Sequence, residues 1–294
     1  MKLAAFERDG VPGVGRLSDD GQSIRPYELS RDEAASGILP LIGRSVAGGP
    51  MPELGDPVAM SGVTLRAPVP HPRRNIFCVG KNYFEHAHEF AKSGFDSSAA
   101  SGAVPEAPII FSKVPESVTA HGANVPIDAS VDPSVDYEVE LTVIVGKGGR
   151  GIKKADAYDH VWGYTIVNDV TARDLQGRYK QWLIGKSQDG FCPMGPIAVT
   201  ADEIDPENTQ VRTWVNGELR QDANTRDLIF DIPTLIETIS AGITLVPGDL
   251  IATGTPAGVG IGFNPPKYLK PGDVVRLEIQ DIGILENRFV AYGD

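Results

Sequence analysis

Asp136-Tyr137-Glu138-Val139-Glu140-Leu141-Thr142-Val143-Ile144-Val145 is the stretch on which the fold turns. It is rich in β-branched and apolar residues and reads as one strand. Side chains alternate faces along a strand. Tyr137, Val139, Leu141, Val143 and Val145 therefore form one apolar face. Glu138, Glu140, Thr142 and Ile144 share the other, so two carboxylates stand side by side on a strand that otherwise looks like core. Two like charges about 4 Å apart repel by roughly 4 kcal/mol at an effective dielectric of about 20. In a dry place an unpaired couple costs more, or takes up a proton. Taken alone, Glu-x-Glu reads first as a solvated strand face. A divalent cation would also remove the repulsion.

The surrounding chain limits the choices. Its 294 residues suffice for one large domain, or a main domain and a small one. Hydrophobic content of 41% and charged content of 22% suit a globular, water-soluble protein. The net charge of −12, with no Lys/Arg cluster, argues against a nucleic-acid surface and suits a site that gathers carboxylates. Two cysteines, Cys78 and Cys192, are too few for a disulfide framework, and a reduced, cytoplasmic setting is expected. The N-terminus lacks a signal-like apolar run, and no uncharged run has membrane-spanning length.

Along the chain, residues 3–7, 14–17 and 23–25 read as a β meander with Asp9-Gly10 and Asp20-Gly21 turns. Short helices are expected over 31–35 and 38–42. The run Ala67-Pro68-Val69-Pro70-His71-Pro72 reads as an extended linker, which divides a small N-terminal domain (1–70) from a main domain (71–294). In the main domain, 76–80 and 109–112 are expected strands, with a helix over 81–92 between them. The small, polar stretch 93–105 after that helix reads as a lid loop. Strand 162–170 ends in Asn168-Asp169, and a helix follows. A helix over 232–240, capped by Asp231, and several strands complete a mostly β, α+β chain.

Polar residues appear where a core should be apolar. Asp169 ends an apolar strand, so three carboxylates could converge from neighbouring strands into a hard-oxygen site for Mg²⁺ or Mn²⁺. No His/Cys grouping has zinc-like spacing. His86 and Glu89 share a helical face, where the carboxylate would orient the imidazole and raise its basicity. Lys186 lies between apolar neighbours and reads as a buried cation. The loop Thr253-Gly254-Thr255-Pro256 can offer N–H groups and hydroxyls to an anion. Two nucleotide motifs fail. Gly185-Lys186-Ser187 has Lys180 where a phosphate loop needs its first glycine. Gly146-Lys147-Gly148-Gly149-Arg150-Gly151 follows a strand whose glutamates would be misplaced in a dinucleotide fold, and reads as a solvated hairpin turn.

Each patch is weak alone; their order is specific. Gly80-Lys81-Asn82-Tyr83 with His86 and Glu89 comes first, then Asp136-Tyr137-Glu138-Val139-Glu140-Leu141. Next come Asn168-Asp169 with Ala172-Arg173-Asp174-Leu175-Gln176, then Gly185-Lys186-Ser187 with Asp189 and Cys192-Pro193. Thr253-Gly254-Thr255-Pro256 closes the series. This series resembles the fumarylacetoacetate hydrolase family over roughly residues 70–290. The resemblance implies a mixed-β roll catalytic domain, a small N-terminal α+β domain and a homodimer. It implies Glu138, Glu140 and Asp169 as ligands of Mg²⁺ or Mn²⁺, and His86, Glu89 and Lys186 as catalytic groups. Arg173, Gln176, Thr255 and Tyr83 are then expected to bind substrate. The family's larger eukaryotic members add a metal-ligating Asp before the catalytic His, and Phe77-Cys78-Val79-Gly80 has none. The chain thus resembles the shorter acylpyruvase and decarboxylase/isomerase type. The expected reaction is metal-assisted C–C hydrolysis of a β-diketo acid through an enolate. In it His86 deprotonates water and a lid over 82–105 closes the site. The alternatives are decarboxylation of an oxaloacetate-like acid, isomerisation of a 2-hydroxy-dienoate and, in a different class, non-catalytic binding of a dicarboxylate.

Overall fold

The computed structural model describes residues 1–92 and 104–293. The expected lid falls largely on residues 93–103 and to that extent lies outside the described residues. Strand Val139–Val145 is at the centre of the molecule and buried along its whole length. It pairs antiparallel with Val161–Asn168 on one side and with Leu250–Ala252 on the other. The sheet continues beyond Val161–Asn168 through Cys192–Thr200 to Lys2–Arg8. In the other direction it runs beyond Leu250–Ala252 to Ile76–Gly80 and Ile109–Lys113. The antiparallel strands Val139–Val145 and Val161–Asn168 are joined not by a tight hairpin turn at 146–151 but by a longer connection that includes a 3-10 helix, Lys154–His160.

The alternation of faces holds. Tyr137, Val139, Leu141, Val143 and Val145 join one core cluster, which includes Val211, Leu277, Leu285 and Phe289 of a second, five-stranded sheet. Ile144 on the opposite face joins a different cluster, with Cys78, Val167 and Leu250. Both faces are therefore covered, and Glu138 (4% exposed) and Glu140 (1%) are not on a solvated surface.

The expected strand over 136–145 is interrupted. Val135–Asp136 pairs with Thr171–Ala172, and regular pairing resumes at Val139 opposite Asn168. Side chains replace the ladder at the break. The Glu138 N–H donates to Asn168 Oδ1 at 3.0 Å, and the Tyr137 N–H to Asp136 Oδ1 at 2.9 Å. The Asp169 N–H still reaches the Glu138 carbonyl at 2.9 Å. The register is kept across the break, with Asp136 opposite Thr171 and Val139 opposite Asn168, so Asp169 stands directly across from Glu138.

The N-terminal segment joins this sheet directly: Lys2 and Leu3 pair with Val199 and Ala198. The strands Lys2–Arg8, Val11–Leu17 and Ser23–Pro26 form the expected meander. Helix Arg31–Ala35 starts with a Ser30/Glu33 capping box. Helix Leu39–Val46 packs its Leu39, Leu41 and Ile42 inward. Helix Ile232–Ser240 is capped by Asp231 as expected, through the Thr234 N–H. Among the described residues, no helix is long and apolar enough to cross a membrane.

Candidate active site

The site lies at the break in the ladder described above. Glu138, Glu140 and Asp169 are buried, and each places a carboxylate oxygen within 4.8 Å of the others. The Lys186 ammonium, at the end of helix Leu183–Lys186, donates to Glu138 Oε2 and to Asp169 Oδ2, each at 2.7 Å. Arg173, at the start of helix Arg173–Tyr179, places Nη2 2.8 Å from Glu138 Oε1. Its Nη1 donates to Gln176 Oε1 at 3.1 Å, one helical turn on. Behind it Asp136 accepts from Nε at 2.9 Å and from Nη2 at 2.8 Å.

These neighbours divide the two glutamates. Burial alone would raise the pKa of Glu138, but the Lys186 and Arg173 charges overcome it and hold the carboxyl at about 2. Glu140 accepts instead from the Gly254 N–H at 2.9 Å. Burial, reinforced by the Asp169 and Glu138 charges, pushes it well above the ordinary carboxylate range. Burial would make Lys186 give up its proton more easily, but Asp169 and Glu138 outweigh it and raise its pKa.

Four buried carboxylates (Asp136, Glu138, Glu140, Asp169) thus meet three buried cations (Arg173, Lys113, Lys186). Lys81, a fourth buried cation, lines the same cavity as Glu138, Glu140, Arg173 and Lys186. Three converging carboxylates offer only hard oxygen donors, a set that fits a divalent cation of the Mg²⁺ or Mn²⁺ kind. A narrow cavity of about 20 Å³ adjoins them, room for one water-sized species.

Most of the residues expected from the sequence meet there. His86, Glu138, Glu140, Arg173, Gln176, Lys186 and Thr255 line the cavity. Asp169 does not line the cavity but accepts a hydrogen bond from Lys186, which does. Glu89 is one turn from His86 on helix Phe84–Lys92, with Oε2 3.1 Å from His86 Nδ1. Thr255 is fixed by the Gln221 amide, which donates to its Oγ1 at 2.9 Å. Tyr83 is buried but faces a separate cavity of about 420 Å³ that also borders Phe84, Asp222, Asp227 and Pro256. Burial first, then the Glu140 and Asp227 charges, raises its phenol pKa.

Sequence reading missed three contributors. Lys113 is wholly buried and donates to Asp169 Oδ1 at 2.7 Å and to the Val170 carbonyl at 3.0 Å. Its partners lie more than fifty residues away, so only an unexplained lysine ending an apolar strand could have signalled it. Trp182 meets Phe111 edge-on, with centroids 5.1 Å apart, and Phe111 in turn faces the Lys186 ammonium at 4.9 Å. Gly80 makes room for that indole, since a Cβ there would lie 2.4 Å from the Trp182 ring. Asp136 had been read only as part of the strand.

The chain is similar to known proteins in sequence and fold. Oxaloacetate tautomerase YisK of Bacillus subtilis (strain 168) is 53% identical over 231 residues, 78% of this chain and 74% of that protein. The structure of a fumarylacetoacetate hydrolase from psychrophilic Exiguobacterium antarcticum matches with a TM-score of 0.84 at 39% identity, covering 99% of both chains. A 2-hydroxyhepta-2,4-diene-1,7-dioate isomerase from Mycobacterium marinum matches with a TM-score of 0.78 at 31% identity over 100% of both. The family model described as fumarylacetoacetate (FAA) hydrolase C-terminal matches residues 75–290. With its buried carboxylate triad and mostly β architecture, the chain belongs to the fumarylacetoacetate hydrolase family.

Proposed function

We propose that the protein is an enzyme that moves a proton between carbon and oxygen in a small α-keto dicarboxylic acid of the oxaloacetate type, interconverting its enol and keto forms. Glu138, Glu140 and Asp169 would hold Mg²⁺ or Mn²⁺, and the ion would act as a Lewis acid toward the substrate's keto oxygen. His86 takes the proton, its ring oriented through Nδ1 by Glu89. Lys186 balances negative charge as it develops and returns a proton. Arg173, Gln176 and Thr255 supply the polar wall for the substrate's oxygens, while Tyr83, expected there from the sequence, borders the neighbouring cavity instead. Trp182 and Phe111 keep the ammonium away from bulk water. The observation that carries this reading is the placement of His86 and Lys186 around one narrow cavity with the carboxylate cluster. The substrate class is supported by the 53% identity to an oxaloacetate tautomerase.

A second reading has its own support. The His86–Glu89 pair could equally deprotonate a water, which would serve C–C hydrolysis of an acylpyruvate-like β-diketo acid. Decarboxylation of oxaloacetate-like acids, or isomerisation of 2-hydroxy-dienoates, would use the same groups without that water. The proposal also includes a homodimer working in the cytoplasm, with residues 1–70 as an accessory to the catalytic part 71–294.

The test is turnover of the enol of oxaloacetate, of acetylpyruvate and of a hydroxymuconate-type dienoate, with Mg²⁺, with Mn²⁺ and with EDTA. We expect metal-dependent loss of the enol absorbance, and a fall of about 100-fold or more in His86→Ala with metal still bound. Faster hydrolysis of acetylpyruvate would put the second reading first. No metal-dependent turnover of any of them would leave a non-catalytic dicarboxylate binder.

A further inference from the structure

One short turn touches both halves of the site. The Gly258 N–H donates to Glu89 Oε1 at 3.0 Å, which leaves Oε2 for His86. Four residues on, Gly262 faces the same carboxylate so closely that a Cβ there would lie 1.9 Å from Glu89 Oε1. Between them the Gly260 and Ile261 N–H groups donate to Asp136, at 2.6 Å to Oδ1 and 3.0 Å to Oδ2. A Cβ on Gly260 would lie 2.8 Å from that Oδ1. Asp136 is fully buried, and it is the group that holds Arg173 against Glu138. The turn is itself tied down, because the Tyr137 hydroxyl donates to the Gly258 carbonyl at 2.8 Å.

We propose that the turn 258–262 is a two-sided cradle that sets the His86–Glu89 pair in register with the carboxylate floor, with Gly262, Gly260 and Asp136 as its positioning residues. Glu89 has two oxygens and two partners, the Gly258 N–H and the His86 ring. Fixing one oxygen on the backbone dictates where the other meets the imidazole, and so which way the ring points. Asp136 performs the matching task on the other side. Five donors converge on its two oxygens, and two of them belong to the guanidinium that grips Glu138. Glycine is required at 262 because the carboxylate occupies the place of a side chain. An added methyl would displace the far end of Glu89, a flexible group, and leave the triad untouched.

The inference rests on the proton-transfer role proposed for His86, so its test has a readout independent of turnover. The ¹⁵N signals of the His86 ring report its bond to Glu89, and titration with Mn²⁺ reports the triad. Gly262→Ala should move the His86 signals toward those of Glu89→Gln and lower kcat about 10-fold or more, with KM and Mn²⁺ affinity unchanged. The two changes together should cost no more than either alone, since they break one contact. Glu89→Asp in the Gly262→Ala background withdraws the carboxylate from the methyl and should restore part of the loss. Gly242→Ala, at a glycine with open space around it, is the control. On the other side, Asp136→Asn should weaken Mn²⁺ binding about 10-fold, as loss of a ligand's supporting group does elsewhere. That variant carries the test if Gly262→Ala does not fold. Unchanged His86 signals and unchanged kcat in folded Gly262→Ala, or undiminished Mn²⁺ affinity in Asp136→Asn, would overturn the cradle. If the wild type turns over none of the keto acids but the His86 signals shift in Gly262→Ala, the proposed function fails and the cradle stands.

Discussion

Glu138 and Glu140 lie two residues apart on one strand face, yet their protons behave oppositely. Glu138 sits between Lys186 and Arg173 and is held at about 2. Its contribution to stability is complete above the ordinary carboxylate range and is lost only as the pH falls through that depressed value. Glu140 is pushed the other way, by burial and by Asp169 and Glu138. Between the ordinary carboxylate pKa and its raised one, the folded protein keeps a proton that the unfolded chain has released. Its contribution to stability therefore declines as pH rises through that window. A divalent cation competes with the same proton, so metal affinity should climb over the same range. Melting temperatures in EDTA should fall less steeply with rising pH in Glu140→Gln than in wild type, and the metal-induced rise in melting temperature should largely vanish. Equal pH slopes in the two proteins would remove Glu140 from this role. The two glutamates were legible because alternation along a strand is a local property. Lys113 was not, because its meaning lies in a carboxylate supplied by a strand 56 residues further on.

At the scale of elements, sequence reading located the central strand, the His86 helix and the Asp231-capped helix. It ran the strand without a break through 137–138, where the ladder is interrupted although the register is kept. β-propensity gives no warning there, since Tyr137 and Glu138 sit in a continuous β-like run. At the interruption side chains take the place of the ladder on the backbone, chiefly Asn168 Oδ1 on the Glu138 N–H. Because the register is kept through the break, Asp169 stays directly across from Glu138 on the same face. Asn168→Ala would leave a buried N–H without its acceptor, which costs about 1–3 kcal/mol. Denaturant unfolding should register that loss, and Mn²⁺ titration should show weaker binding because Glu138 is then less firmly placed. Lost stability with metal affinity intact would show that the Asn168 contact is structural only. The remainder of the candidate site depends on the approach of sequence-distant elements: Gln221 on Thr255, Trp182 over Gly80, the turn 258–262 on Glu89. No local pattern encodes these meetings.

At the scale of the whole molecule, the proline-rich stretch near residue 70 suggested a linker between two domains, whereas the packing runs across it. Leu3 and Lys2 extend the sheet from Ala198 and Val199, and a single core cluster combines Leu3, Ile38, Leu41 and Ile42 with Cys78, Ile144, Met194 and Leu250. The Leu39 side chain approaches so near to Gly248 that a Cβ there would lie 2.4 Å from it. Each fully buried Leu or Ile contributes about 1.5–3 kcal/mol. The four named N-terminal side chains therefore rival the roughly 5–15 kcal/mol that keeps a typical domain folded. Removing residues 1–70 would expose their partners and free an edge of strand Cys192–Thr200, whose far end pairs with the strand that leads into Asp169. We expect the full chain to unfold in one calorimetric transition, with calorimetric and van't Hoff enthalpies equal. A fragment of residues 71–294 should aggregate, or melt far below the full chain, and should not hold Mn²⁺. Two separate transitions, or a fragment with wild-type metal affinity, would make residues 1–70 an independent unit and confine the catalytic fold to the rest.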